Sequence, residues 1–189
     1  LREHLVRLYK GTKILRIPLQ MTIEEMEQAC FKTVEANEPF FEHHDEHRLM
    51  INISRGPLPI YAPVFENKIE PTVIIADFPL KWAVSGMSRL FDTGINAVIP
   101  AQRAIPASLL DPKIKNRSRL HYQMANIEVS GYEGENNWAL LIDPSGYIAE
   151  GTGDNFFIVT NNTIITPEGR NVLRGISRDY VFEISNQLG

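Results

Sequence analysis

Four groups of side chains in this 189-residue sequence have the types and spacing to do chemistry. Lys115, in Asp111-Pro-Lys-Ile-Lys-Asn116, stands where a loop is expected to enter a helix. A lysine amine forms an imine with a carbonyl compound when it is held partly out of water, which lowers its pKa from about 10.4. The plain alternative is a solvated lysine in a basic turn, and Lys113 is a rival nearby. Glu150 ends a strand pattern ahead of a glycine-rich turn, in Tyr147-Ile-Ala-Glu-Gly-Thr-Gly-Asp-Asn155-Phe-Phe. A carboxylate there can pair with a protonated ring nitrogen, a charge-assisted bond that strengthens away from water. The alternative is a hairpin turn with an exposed acid and an Asp-Asn corner.

The third group is Leu173-Arg-Gly-Ile-Ser-Arg-Asp179 at a helix start. Free amides at Ile176 and Ser177, the Ser177 hydroxyl and the positive helix end together make a phosphate seat. Read locally, it is an ordinary serine N-cap. The fourth is Arg7 in His4-Leu-Val-Arg-Leu8, on an amphipathic helix, where a guanidinium can pair with phosphate bidentately or remain on the surface. Other patterns lead elsewhere. Gly151-Thr-Gly153 allows close backbone approach, but its spacing and the strand after it exclude a dinucleotide fingerprint. His43-His44-Asp-Glu-His47 has metal-ligand residue types, yet its setting between Pro39 and Arg48 reads as a solvated turn, so no metal is expected. No serine lies in a Gly-x-Ser-x-Gly elbow.

The elements that must position these groups form two α/β modules. Leu5, Leu8 and Tyr9 mark a first helix over residues 1–15, and Thr22 with Glu25 is a capping box ahead of the stripe Met26, Ala29, Cys30, Val34. Residues 48–53 and 71–78 read as strands, separated by an irregular proline-rich loop over 56–63. The pattern weakens over 81–90, the expected linker between a small N-terminal α/β domain (1–80) and a larger domain (91–189). In the latter, residues 96–99 begin a strand system, 118–130 is helical, and 138–142, 147–149 and 155–160 are short strands. Residues 177–188 form a closing helix. The chain begins at Leu1 inside one helical pattern and stops at Gly189 just after another, so both ends are expected to be cut from a longer protein.

The net charge of −4 offers no basic field for nucleic acid. No apolar run reaches the length of a membrane span, and no signal peptide is visible. The single cysteine, Cys30, allows no internal disulfide and suits a cytoplasmic setting. On that basis the sequons at Asn52, Asn116 and Asn161 are chance.

Taken in order, His4-Leu-x-Arg7-Leu8, Pro112-x-Ile-Lys115, Glu150-Gly-Thr-Gly-Asp-Asn155-Phe-Phe and Gly175-Ile-Ser-Arg-Asp179 resemble the fold type IV pyridoxal-phosphate enzymes. That family holds branched-chain aminotransferases, D-amino-acid aminotransferases and aminodeoxychorismate lyases. The resemblance implies an α/β (α+β), two-domain fold of the D-amino-acid aminotransferase-like kind, with pyridoxal 5'-phosphate as cofactor. Lys115 matches the Schiff-base lysine and proton carrier, and Glu150 the carboxylate that keeps the ring nitrogen protonated. Arg7, Ile176 and Ser177 match phosphate contacts, Leu173 the apolar residue against the ring, and Asn155 belongs to the same cofactor-binding motif. The Glu-Gly-Thr-Gly-Asp-Asn turn is most similar to the branched-chain group. Arg55-Gly56 is followed by Ile60, Tyr61 and Ala62, without the carboxylate trap of the D-amino-acid enzymes. One departure stands out: where the family has a tyrosine four or five residues past the lysine, this chain has Arg119 and Leu120, with Tyr122 beyond. The implied activity is transamination between an amino acid, branched-chain aliphatic in type, and a 2-oxo acid such as 2-oxoglutarate. A lyase of the same fold and a non-catalytic relative are the alternatives. The family also implies a homodimer, with the proline-rich loop a candidate contact, acting on small molecules and not on nucleic acid or membranes.

Overall fold

The basic and apolar alternation at the start of the chain forms helix α1 (Arg2–Ile14) in the computed structural model, which describes residues 1–189. Helix α2 (Ile23–Asn37) begins at the expected capping box. Thr22 Oγ1 accepts from the Glu25 amide at 3.1 Å, and Glu25 Oε2 accepts from the Thr22 amide at 2.7 Å. Two helix-end donors are thereby satisfied at once. The two helices pack together, with Leu5, Met26 and Cys30 fully buried.

Strands β1 (His47–Ser54) and β2 (Thr72–Pro79) form an antiparallel pair with Ile51 opposite Ile75, and α2 packs on β2. Between them the expected irregular loop instead contains a 3-10 helix, Pro59–Phe65. A proline at the start of a helical turn has no amide to waste and a preset φ, so Pro59 seeds the turn while Pro63 lies inside it. Gly56 sits at φ +92°, and a Cβ there would lie 2.1 Å from the Glu70 carbonyl oxygen.

The expected linker over 81–90 is also mostly helical. It holds α3 (Lys81–Met87) and the start of α4 (Leu90–Thr93), short segments whose Trp82, Val84 and Phe91 are exposed. Exposed apolar residues weaken the periodic signal without preventing a helix. By its contacts the chain divides into two units, Leu1–Asp92 and Thr93–Gly189.

In the second unit, β3 (Asn96–Val98) runs parallel to β4 (Asn137–Ile142), which pairs antiparallel with β5 (Ile148–Gly151). A register irregularity separates the pairs Leu140–Gly151 and Ile142–Ile148. Helix α5 (Leu120–Ser130) lies on β4, and Ala125, Val129, Ala139 and Leu141 form the buried cluster between them. The helix starts at Leu120 rather than Ser118, because Arg119 has non-helical torsions (φ −110°, ψ 14°). The expected strand over 155–160 is shorter, β6 (Ile158–Thr160), with Asn155 making one isolated bridge to Glu150. Its partner β7 (Thr163–Ile165) was not foreseen. Asn161 and Asn162 both have positive φ (47° and 59°), the geometry of a tight hairpin turn. Helix α6 (Ile176–Leu188) begins one residue earlier than expected, with Gly175 as its N-cap.

Candidate functional site

Helix α5 presents two kinds of face along one line. Tyr122, Ala125 and Val129, three and four residues apart, point to β4, and Tyr122 packs against the buried cluster. The polar start of this face meets the end of β5. The Tyr122 hydroxyl donates to Glu150 Oε1 at 3.2 Å, and Asn126 Oδ1 accepts from the Thr152 hydroxyl at 3.1 Å. The Arg119 guanidinium donates to the Thr152 carbonyl and lies over the Tyr122 ring, 4.9 Å from its centre.

Glu150 is the centre of this arrangement, with only 7% of its surface exposed. Its Oε2 accepts from the Leu173 amide at 2.9 Å and from Asn155 Nδ2 at 3.3 Å. Burial pushes its carboxyl above the usual range, while the Leu173 amide, the Tyr122 hydroxyl and the charge of Lys115 pull the other way. The attraction places the Lys115 ammonium within electrostatic reach of Glu150, so two of the expected site residues share one locality. Tyr122 is pushed up to about 12, first by burial and then by the adjacent Glu150 charge, so it remains a hydroxyl donor.

The structure brings Asn155, Leu173 and Gly175 to the same place. Asn155 Nδ2 also donates to the Leu173 carbonyl at 2.9 Å, and a Cβ on Gly175 would fall 2.1 Å from Asn155 Oδ1. The requirement for glycine at 175 is therefore one of space, since its torsions (φ −70°, ψ 140°) suit any residue. Ile176 and Ser177 occupy the first two positions of α6, where amides point out of the helix end. The local reading of Ser177 as the N-cap is thus corrected: Gly175 holds that position without a side-chain cap bond.

Lys115 lies in the loop before α5, exposed and adjacent to the buried Ile114. The partial burial expected of an imine-forming lysine is not present in this chain. Its rival Lys113 is held by Asp111, at 3.2 Å in an ion pair. Arg7 lies on α1 in the first unit, half-buried, with its guanidinium 3.4 Å from His4 Nδ1. Arg55, also in the first unit, donates to the Leu15 and Arg16 carbonyls, both at 2.9 Å. Of the histidine cluster, His43 and His44 are exposed, whereas His47 bridges Asp77 (2.7 Å) and Glu38 (2.9 Å). Sequence reasoning missed the Tyr122 and Asn126 contacts, although the helical spacing from Tyr122 to Val129 carries the signal for one of them.

A family model described as amino-transferase class IV matches residues 1–189. A protein of Methanocaldococcus jannaschii is 31% identical over 191 residues, covering 100% of this chain and 61% of that relative. The branched-chain-amino-acid aminotransferase of Salmonella typhimurium is 29% identical over 194 residues, covering 100% of this chain and 58% of the relative. The structure of a branched-chain amino acid aminotransferase from Thermobaculum terrenum in its PLP form superposes with a TM-score of 0.79 at 26% identity, covering 99% of this chain and 57% of that one. The chain thus spans about three fifths of the length of the curated relatives it matches.

Proposed function

We propose, from the premise that the chain belongs to the class IV amino-transferase family, that its protein moves amino groups with pyridoxal 5'-phosphate. The substrates are an amino acid, branched-chain aliphatic in type, and a 2-oxo acid such as 2-oxoglutarate. The Salmonella typhimurium relative and the Thermobaculum terrenum structure are branched-chain amino acid aminotransferases, and this chain shares the fold of the latter over its length. A homodimer and a cytoplasmic setting belong to the same proposal.

The residues fit that cofactor. A buried carboxyl held above its usual range gains from a cationic partner, and a protonated pyridine nitrogen is one. The outward amides of Ile176 and Ser177 and the positive end of α6 suit a phosphate. Leu173 supplies apolar surface for the ring, and its backbone is fixed by Asn155 and Glu150. When bound, the cofactor draws electrons away from the substrate Cα. Glu150 sustains that pull by keeping a positive charge on the ring nitrogen. Lys115 would hold the cofactor covalently and would carry the proton at the substrate Cα. Asn155 acts through Glu150 and Leu173 rather than on the cofactor itself.

The observation that carries this reading is the buried Glu150 carboxyl, on which the charge of Lys115 acts. Borohydride reduction of the full-length holoprotein, followed by peptide mass analysis, tests it. The cofactor is expected on the peptide at Lys115, and Lys115→Ala is expected to leave none covalently retained. A label at Lys113, or an unchanged label in Lys115→Ala, would falsify the assignment.

A further inference from the structure

We propose that Tyr122 is the positioning residue for Glu150, holding its carboxylate ionised and oriented through Oε1, the oxygen with room left for the cofactor's ring N–H. The proposal rests on the cofactor reading above and extends it to a residue outside the motifs that carry that reading.

The argument starts from the unequal loading of the two carboxylate oxygens. Each has about two lone-pair positions. Oε2 accepts from both the Leu173 amide and the Asn155 carboxamide, and Oε1 accepts from the Tyr122 hydroxyl. Oε1 is therefore the oxygen with capacity for another donor. The donors to Oε2 come from beyond β5, whereas Tyr122 comes from α5, so the carboxylate is gripped from two sides and cannot swing freely.

Tyr122 is itself held in place. Its ring packs on the buried cluster between α5 and β4. The Arg119 guanidinium lies over one part of it at 4.9 Å, and the His121 ring is 3.9 Å away, centre to centre. Arg119 is tied in turn to the Thr152 carbonyl, two residues past Glu150. Arg119, at one of the two positions where the family has its tyrosine, thus braces a different tyrosine here. A hydroxyl that keeps its proton donates to Glu150 throughout the working pH range, and such a donor favours the charged carboxylate.

The test uses full-length protein and two probes that cannot bond Lys115. One is pyridoxine 5'-phosphate, which lacks the aldehyde. The other is its analogue with carbon in place of the ring nitrogen. In cofactor-free protein, carbon-13 NMR of labelled glutamate should show Glu150 titrating at higher pH in Tyr122→Phe than in wild type. The affinity for the pyridine probe should fall on the acid side as Glu150 protonates, and in Tyr122→Phe that fall should begin at higher pH. The carbon analogue should show no such limb in either protein. An unmoved Glu150 titration, or equal weakening of both probes at every pH, overturns the positioning role and leaves the cofactor reading intact. If wild-type protein binds neither probe, the cofactor reading falls and takes this proposal with it. A measurement on wild type alone guards against a variant that does not fold. The Tyr122 Cζ resonance should move on binding the pyridine probe and stay still with the carbon analogue; movement with both, or with neither, refutes the proposal.

Discussion

Asn155 and Gly175 are coupled by space, and a double-mutant cycle measures the coupling. Gly175→Ala places a Cβ 2.1 Å from Asn155 Oδ1, far inside contact distance, so the carboxamide must move. Moving it breaks the bonds from Nδ2 to the Leu173 carbonyl (2.9 Å) and to Glu150 Oε2 (3.3 Å). The first is an ordinary neutral bond; the second has a charged acceptor but is long. Together they are worth about 2–3 kcal/mol. Asn155→Ala removes the same two bonds and should cost the same. The alanine at 175 is a poorer N-cap by about 0.5–1 kcal/mol, and a stiffer unfolded chain returns a similar amount, since the torsions at 175 admit alanine. The double variant has no carboxamide to clash with, so its loss should match Asn155→Ala alone, not the sum. Urea unfolding of the full-length protein, followed by fluorine NMR of fluorotryptophan at Trp138, reads the second unit separately from Trp82 in the first. A double-variant loss within about 0.5 kcal/mol of the sum would refute the reasoning.

Other expectations come from the core and from the first unit. Leu141→Ala should destabilise the second unit by about 3–4 kcal/mol in the same unfolding assay, because the fully buried leucine is surrounded by Ala125, Val129 and Ala139, which are too small to fill the space. A loss under about 1.5 kcal/mol would show that the helix and strand close up instead. His47 has its pKa raised, chiefly by its bond to Asp77 and then by Glu38, against burial. A raised histidine contributes stability that is full below its unfolded pKa of about 6.5 and is lost as pH rises through the folded value. The first unit, read at Trp82, should therefore weaken as pH climbs above 6.5, and His47→Gln should flatten that dependence; equal slopes in both proteins would count against the bridge.

Much of the scaffold was legible because its signals are local. Thr22 and Glu25 announce a reciprocal cap, and β1 alternates apolar residues at the period of a strand. The errors fall where the deciding contact is distant or the signal has two meanings. Pro59 looks like a breaker and starts a 3-10 turn. The strand after Asn161-Asn162 is missed because Ile164 and Ile165 are apolar without polar alternation, a pattern that does not separate strand from loop. Residues 155–157 look like strand, yet the Asn155 side chain is committed to Glu150 and Leu173, leaving one bridge in place of a ladder.

The candidate site divides the same way. Motif order points to Lys115 and Glu150. What the order of motifs cannot express is how the carboxylate is dressed. Its three donors come from Tyr122, Asn155 and the backbone of Leu173, 18 or more residues apart in the chain and joined only by the packing of α5 on β4 and the turn after β5. A backbone amide as donor leaves no trace in the sequence at all, since any residue at 173 except proline supplies it. Tyr122 leaves a trace, but a misleading one: as the first member of an apolar helical stripe it looks like core, and its half-buried ring packs against the core. Only its hydroxyl reaches the site. The departure at Arg119 takes on its meaning from the same geometry, because a guanidinium laid over that ring and tied to Thr152 locks the hydroxyl toward Glu150. Arg119 is thus engaged with Tyr122 and Thr152, the one by its ring and the other by its carbonyl.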